Sequence, residues 1–301
     1  MDRIPAVRLY ARDGYLLAQE GLSICFYMRC AHQEIAQAIV LALETYLLAV
    51  GTQALGWYVD EEGDWQELDE TGRAHLWSEL RERHGLVTKL TETPSGASQY
   101  GFEYYGKSLK APLPFNNEDA VCAVTFWLPP EYLEKHGPSG VRQLSLSLAA
   151  VLPFNSGHAG LAVNTLLQLT GVSEEPNQWR VRYPGMHIQN LEHTSWHIGT
   201  RVRGVSWMNF LGPPVLGALG GAEGLRSRLS SPGTAVHSLD PERAVVTLGE
   251  WPEAGDTEQG LTLPAYRELA RVLEPWLYFS PRTVNEDASD ETLRWERRFL
   301  D

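Results

Sequence analysis

The stretch AVCAVTFWLPPEYLEKHGPSGVRQLSLSLAAVLPFNSGHAGLAV, residues 120–163, decides the fold class. Residues 120–128 form an apolar strand rich in Val, Phe and Trp. Pro129 and Pro130 end it, because proline has no amide to give to a ladder. The chain then reads as helical over 131–151 with a break at Gly137 and Pro138, and a second strand runs through 159–163.

Working outward, the same strand, helix, strand passage occurs twice more. Residues 22–28 read as a buried strand. Ile35, Ile39, Leu43, Tyr46, Leu47 and Val50 follow at helical spacing, and a short strand covers 54–59. Residues 199–207 lead to helical segments over 215–229 and then to the alternating stretch 244–251. Amphipathic helices fit 72–84 and 264–277, the latter opened by Pro264 at a first-turn position where a missing donor costs nothing. Residues 99–105 and 120–128 are two strands joined without a helix, which argues against an all-parallel sheet. The expectation is an α+β fold: a mixed, largely antiparallel sheet with helices packed on its faces. It forms one domain over 1–301, with possible lobes at 1–165 and 166–301. Loops rich in Pro, Gly, Asn and Ser fall at 91–98, 110–119 and 171–177, and Leu293, Trp295, Phe299 and Leu300 dock the tail back on the body.

The chain of 301 residues is 43% hydrophobic and 10% aromatic, enough to bury a core without a metal or disulfide staple. Cys25, Cys30 and Cys122 sit in apolar strand-like segments and read as small hydrophobes, so no disulfide framework is expected. The first ten residues already carry Asp2, Arg3 and Arg8 and do not resemble a signal peptide. The apolar run 35–50 is interrupted by Gln37, Glu44 and Thr45 and falls short of a bilayer span, so the expected location is the cytoplasm, with no membrane partner. A net charge of −13 disfavours direct binding to nucleic acid and favours basic surfaces.

Catalytic signatures do not assemble. There is no glycine-rich phosphate loop, and Gly204-Val205-Ser206-Trp207 departs from a nucleophile elbow because Trp207 and Met208 stand where small residues are needed. His187, His193 and His197 with Glu192 form the best metal candidate, and a metal-dependent enzyme using them is the alternative reading. Thr194, Ser195, Trp196 and Ile198 make a poor helix between the last two. In an extended segment those two would stand about 13 Å apart, too far for one ion. No catalytic residue, metal or cofactor is expected.

The acidic side chains are clustered. Asp60, Glu61, Glu62, Asp64, Glu67, Asp69 and Glu70 follow one another without a basic residue, interleaved with Trp57, Tyr58 and Trp65. Glu250, Glu253, Asp256 and Glu258 surround Trp251 in the same way. Crowded carboxylates repel one another, so such a run is either solvated or meets a basic partner, and Trp and Tyr are the anchor types of interfaces. Trp57, Asp60, Glu61, Glu62, Asp64, Trp65, Asp69, Glu70, Glu253, Asp256 and Glu258 are therefore the candidate partner-binding residues. The alternatives are a solvated loop with its aromatics turned inward and, more weakly, a calcium loop on Asp60, Glu62 and Asp64.

In the C-terminal half, residues 183–188 (YPGMHI), 204–212 (GVSWMNFLG), 219–221 (LGG) with Leu225 and Leu229, and 249–256 (GEWPEAGD) followed by Tyr266 resemble the TsiV family of type VI secretion immunity proteins. Their order and spacing carry the resemblance over about residues 180–280. It implies an immunity protein that neutralises a nuclease effector of the VRR type by stoichiometric binding, with no chemistry of its own. The partner it implies is a cognate toxin, a basic nuclease encoded next door. The motif residues Gly185, Trp207, Phe210, Leu211, Gly212, Gly220, Gly221, Gly255 and Asp256 read as structural: side chains for the core, glycines for turns and caps. An adaptor of the secretion machinery is the remaining alternative.

Overall fold

The computed structural model describes residues 4–94, 97–109, 117–166, 178–179, 181–280 and 290–301. Its strands in chain order are β1 (Leu9–Tyr10), β2 (Leu16–Met28), β3 (Trp57–Val59), β4 (Trp65–Glu67), β5 (Leu86–Thr91) and β6 (Gly101–Gly106). There follow β7 (Cys122–Leu128), β8 (Ser156–Thr165), β9 (His187–Ile188), β10 (Met208–Leu211), β11 (Thr234–Ser238) and β12 (Ala244–Leu248). The helices are α1 (His32–Val50), α2 (Glu70–Glu82), α3 (Pro130–Val151), α4 (Leu191–His197), α5 (Val215–Ala218), α6 (Gly221–Arg226), α7 (Pro264–Leu273) and α8 (Asp290–Glu296).

All twelve strands belong to one sheet, whose main path is β11-β12-β10-β8-β2-β7-β6-β5-β3-β4. Every pairing is antiparallel except the two-residue β9, which lies parallel to β8. The 13-residue β2 is the spine, bonded to β7 along Leu22–Met28 on one edge and to β8 along its other edge. It is buried without a break from Ala18 to Met28, and its apolar end, residues 24–28, reflects cover on both faces. Leu22, Ile24, Phe26 and Met28 point into the main core, and Cys25 and Tyr27 into a second cluster with Val121, Ala123, Leu191, Ile198 and Tyr278.

Helix α1 packs between α2 and α3. It starts where Glu34 accepts the Ala31 amide at 2.9 Å and stops at Gly51, whose φ of 108° no other residue type adopts readily. Helix α3 opens with Pro130 and kinks at Gly137, φ 66°, ahead of Pro138, as the sequence implied. At 19 residues α1 is longer than the apolar run suggested, and by length and composition it could cross a bilayer; nine of its residues are instead buried in this fold.

The third strand, helix, strand passage is corrected by the structure. Residues 199–207 are not a strand: Gly199 and Gly204 adopt φ of 56° and 145°, which break any ladder, and the strand begins only at Met208. The helical stretch 215–229 divides into α5 and α6 at Gly220 and Gly221, and β11 intervenes before β12. Cys30 lies just beyond the end of β2 rather than inside a strand. The tail packs back through Trp295, Phe299 and Leu300. The expected loops at 91–98 and 110–119 are only partly inside the described residues, and that at 171–177 lies outside them.

Candidate functional site

The first acidic run forms the β3–β4 hairpin at the free edge of the sheet. Its turn is organised by Asp60, whose Oδ1 accepts the amides of Glu62 (3.1 Å) and Asp64 (2.9 Å) while Oδ2 accepts Gln66 Nε2 at 2.7 Å. The Gln66 bond and the turn amides hold the Asp60 carboxyl below its ordinary range. Asp69 caps α2 by accepting the Gly72 amide at 2.8 Å, and Glu61 pairs with Arg83. Glu62, Asp64, Glu67 and Glu70 are exposed, and among the described residues none has an ion-pair partner. Tyr58 is turned into the core, whereas Trp57 and Trp65 are half-buried. Val59 and Trp65 line a cavity on the sheet face opposite α1–α3, so the hairpin's charged turn stands at the rim of a concavity.

Two carboxylates of the second acidic cluster, Asp256 and Glu258, are paired with an arginine far away in sequence. Asp256 is buried. Burial would raise its carboxyl, but the bond from Arg182 Nη2 at 3.1 Å and the amides of Gln259 and Glu258 hold it below the ordinary range. Arg182 also pairs with Glu258 at 2.9 Å. Arg142 donates to the Gly249 carbonyl at 3.1 Å and also binds the Glu250 carbonyl. Glu253 is exposed, its amide bonded to Tyr266 Oη at 3.4 Å. Asp256 thus serves the fold, as its place in the motif suggests, and is not accessible to a partner.

The remaining motif residues also build structure. Trp207 is buried, with Arg142 5.1 Å from its ring, and Phe210 packs 5.0 Å from Phe26. Leu211 is fully buried. Gly185 and Gly212 allow close backbone approach, since a Cβ there would stand 2.1 Å from the Glu253 carbonyl and 2.5 Å from that of Phe154. Gly220, Gly221 and Gly255 have φ of 85°, 71° and 66°.

The histidines divide between two places. Residues 191–197 do form a helix, contrary to the expectation, because Asn190 caps it by accepting the His193 amide at 3.0 Å. His193 and His197 then stand with ring centroids 4.8 Å apart. His187 is instead buried on β9, stacked on His158, with Nε2 3.0 Å from the Val205 carbonyl. Among the described residues no three His, Cys, Asp or Glu side chains come together as metal ligands.

One sheet thus carries a charged hairpin at its edge with a concavity beside it. The family model for TsiV, type VI immunity for VRR-NUC, matches residues 38–299, and the chain belongs to that family. It is therefore an immunity protein of type VI secretion, and its role is that of an inhibitor, not an enzyme. In fold it is similar to the Pseudomonas aeruginosa T6SS protein PA0821, with a TM-score of 0.79 and 20% identity over 98% of this chain and 87% of that one. No curated protein matches it.

Proposed function

We propose that the chain acts in the cytoplasm, where it binds its cognate nuclease effector one to one and covers the effector's phosphate-binding groove with the edge of the sheet carrying β3 and β4. The observation that carries this reading is the hairpin with the start of α2 that follows it, together carrying four exposed carboxylates that no basic side chain of the described residues neutralises. A nuclease presents a basic groove to bind phosphates, and an acidic edge both steers the encounter and competes with nucleic acid for that groove. Such occlusion requires no bond to be made or broken. The candidate toxin is the nuclease encoded next to this gene. Titrating it with the purified chain should abolish DNA cleavage at an equimolar ratio. Full cleavage by a complex that gel filtration shows to be intact would refute occlusion.

A further inference from the structure

The two faces of the sheet are unequally covered. One carries the layer of α1, α2 and α3 over the main core. On the other, α4 packs on β7 and β6 with Tyr278 in the same cluster. Beyond α4 that face opens over β3, β4, β5 and β6 into a cavity of about 550 Å³. Register sets its floor in cross-strand pairs: Val87 stands opposite Tyr105, Lys89 opposite Glu103, and Val59 opposite Trp65. Val87 is 63% exposed, and Tyr105, Val59 and Trp65 are half-buried. Burial raises the Glu103 carboxyl and Lys89, directly across from it, counters that rise, so the floor is largely apolar and its two charges balance. The rim is different. Glu62, Asp64 and Glu67 on the hairpin side and Glu192 at the start of α4 are exposed, and among the described residues none forms an ion pair.

A sheet face of this composition is ordinarily buried beneath another layer. The floor runs across four neighbouring strands, β6-β5-β3-β4, which at roughly 4.8 Å per step is about 14 Å. That is too broad for one small ligand and wide enough for a single α-helix, whose diameter with side chains is about 10–12 Å. A second copy of the chain, with its net charge of −13, would bring like charge to the acidic rim. A basic partner instead meets opposite charge on both sides of the floor. We propose that the nuclease lays one amphipathic helix on this face beside α4. Its apolar stripe covers Val87, Tyr105, Val59 and Trp65, and its basic flanks meet Glu192 on one side and Glu62, Asp64 and Glu67 on the other. The proposal rests on the neutralisation reading for the identity of the partner. It adds that the buried centre of the interface is the bare sheet face, with the hairpin as its charged rim.

Val87 is exposed, so Val87→Arg should keep the wild-type thermal midpoint while placing a charge where the apolar stripe must sit. Leu48 of α1, 80% exposed, stands on the other side of the sheet, and Leu48→Arg is the matched control. Each chain is titrated by calorimetry into the purified nuclease encoded beside this gene, with DNA cleavage followed in parallel. Val87→Arg is expected to bind about tenfold or more weakly, mostly through faster dissociation, and Leu48→Arg to bind as wild type does. A photo-reactive p-benzoylphenylalanine at position 87 should label a nuclease helix in which basic residues flank an apolar stripe. Wild-type affinity in Val87→Arg, lost affinity in Leu48→Arg, or label on an acidic or non-helical segment overturns the assignment. If Val87→Arg binds as wild type and also stops cleavage, occlusion itself stands; a wild-type chain that does not bind refutes the partner and this assignment together.

Discussion

His158 of β8 and His187 of β9 stack with ring centroids 4.9 Å apart, both buried, in a region that already holds Arg203 and Arg298. Gln189 Nε2 has only protons to offer, and it reaches His158 Nε2 at 2.6 Å, so that nitrogen carries a lone pair. Burial, reinforced by the two arginines, lowers His158 to about 3. Burial, then Arg298 and His158, lowers His187 well below its ordinary value.

The pH dependence follows with a definite sign. Both histidines are neutral in the fold, while the unfolded chain protonates them near the ordinary imidazole value of 6.5. The unfolded state then binds more protons, so the contribution is complete above that pH and is lost as pH falls towards His158's folded value. Two such groups remove about 2 kcal/mol between pH 6.5 and 5.5. Urea unfolding at those two pH values should show this loss, and His158→Gln should roughly halve it; a flat profile would mean the pair is not held neutral.

Trp207 is the largest fully buried side chain, and its Nε1 donates to the Gly249 carbonyl at 3.3 Å beneath the Arg142 guanidinium. Removing it leaves a cavity and an arginine without its aromatic platform, while the Gly249 carbonyl keeps only its bond from Arg142. Trp207→Ala should lower stability by about 3–5 kcal/mol in chemical denaturation. A loss under about 1 kcal/mol would show that the site collapses without penalty.

Glycine positions separate by what surrounds them. At Gly185 an added methyl would meet the backbone carbonyl of Glu253 at 2.1 Å, so Gly185→Ala forces the junction between the 182–185 and 253–256 segments apart. At Gly217, inside α5, the same methyl meets nothing within 4 Å. The first substitution should cost about 1–3 kcal/mol and the second should gain up to about 1 kcal/mol. Thermal midpoints of the two variants, moving in opposite directions, check the pair.

Much of the architecture was legible because its punctuation is chemical. Pro129 and Pro130, Gly137 and Pro138, and the heptad-like row from Ile35 to Val50 each act through local sterics, and α1, α3 and their flanking strands formed where these residues implied. Residues 199–207 misled because a run such as HIGTRVRGVSW has strand composition, while the positive φ of Gly199 and Gly204 is set by tertiary contact. β11 escaped notice because most of Thr234–Ser238 is not buried and shows no apolar alternation. The partners of the second acidic cluster were invisible for a different reason: Arg182 and Asp256 are 74 residues apart, and only the fold joins them. Glu103 gave one faint signal, a single acid in the strand Gly101–Gly106, whose meaning depends on the cavity it lines.

The hairpin's carboxylates are unequal, and that difference sharpens the last experiment. Asp60 ties the turn and Asp69 caps α2, so changing either perturbs structure along with charge. Glu62, Asp64, Glu67 and Glu70 are free of such duties among the described residues, and replacing them by lysine alters the field while leaving the turn intact. Because exposed charge acts mainly on encounter, the fourfold reversal should slow association with the basic nuclease by about tenfold or more at low salt. It should also weaken the dependence of the on-rate on ionic strength, since that dependence is the screening of this same attraction. Stopped-flow association at several salt concentrations reads both effects; an on-rate equal to wild type at low salt removes the hairpin from the docking face.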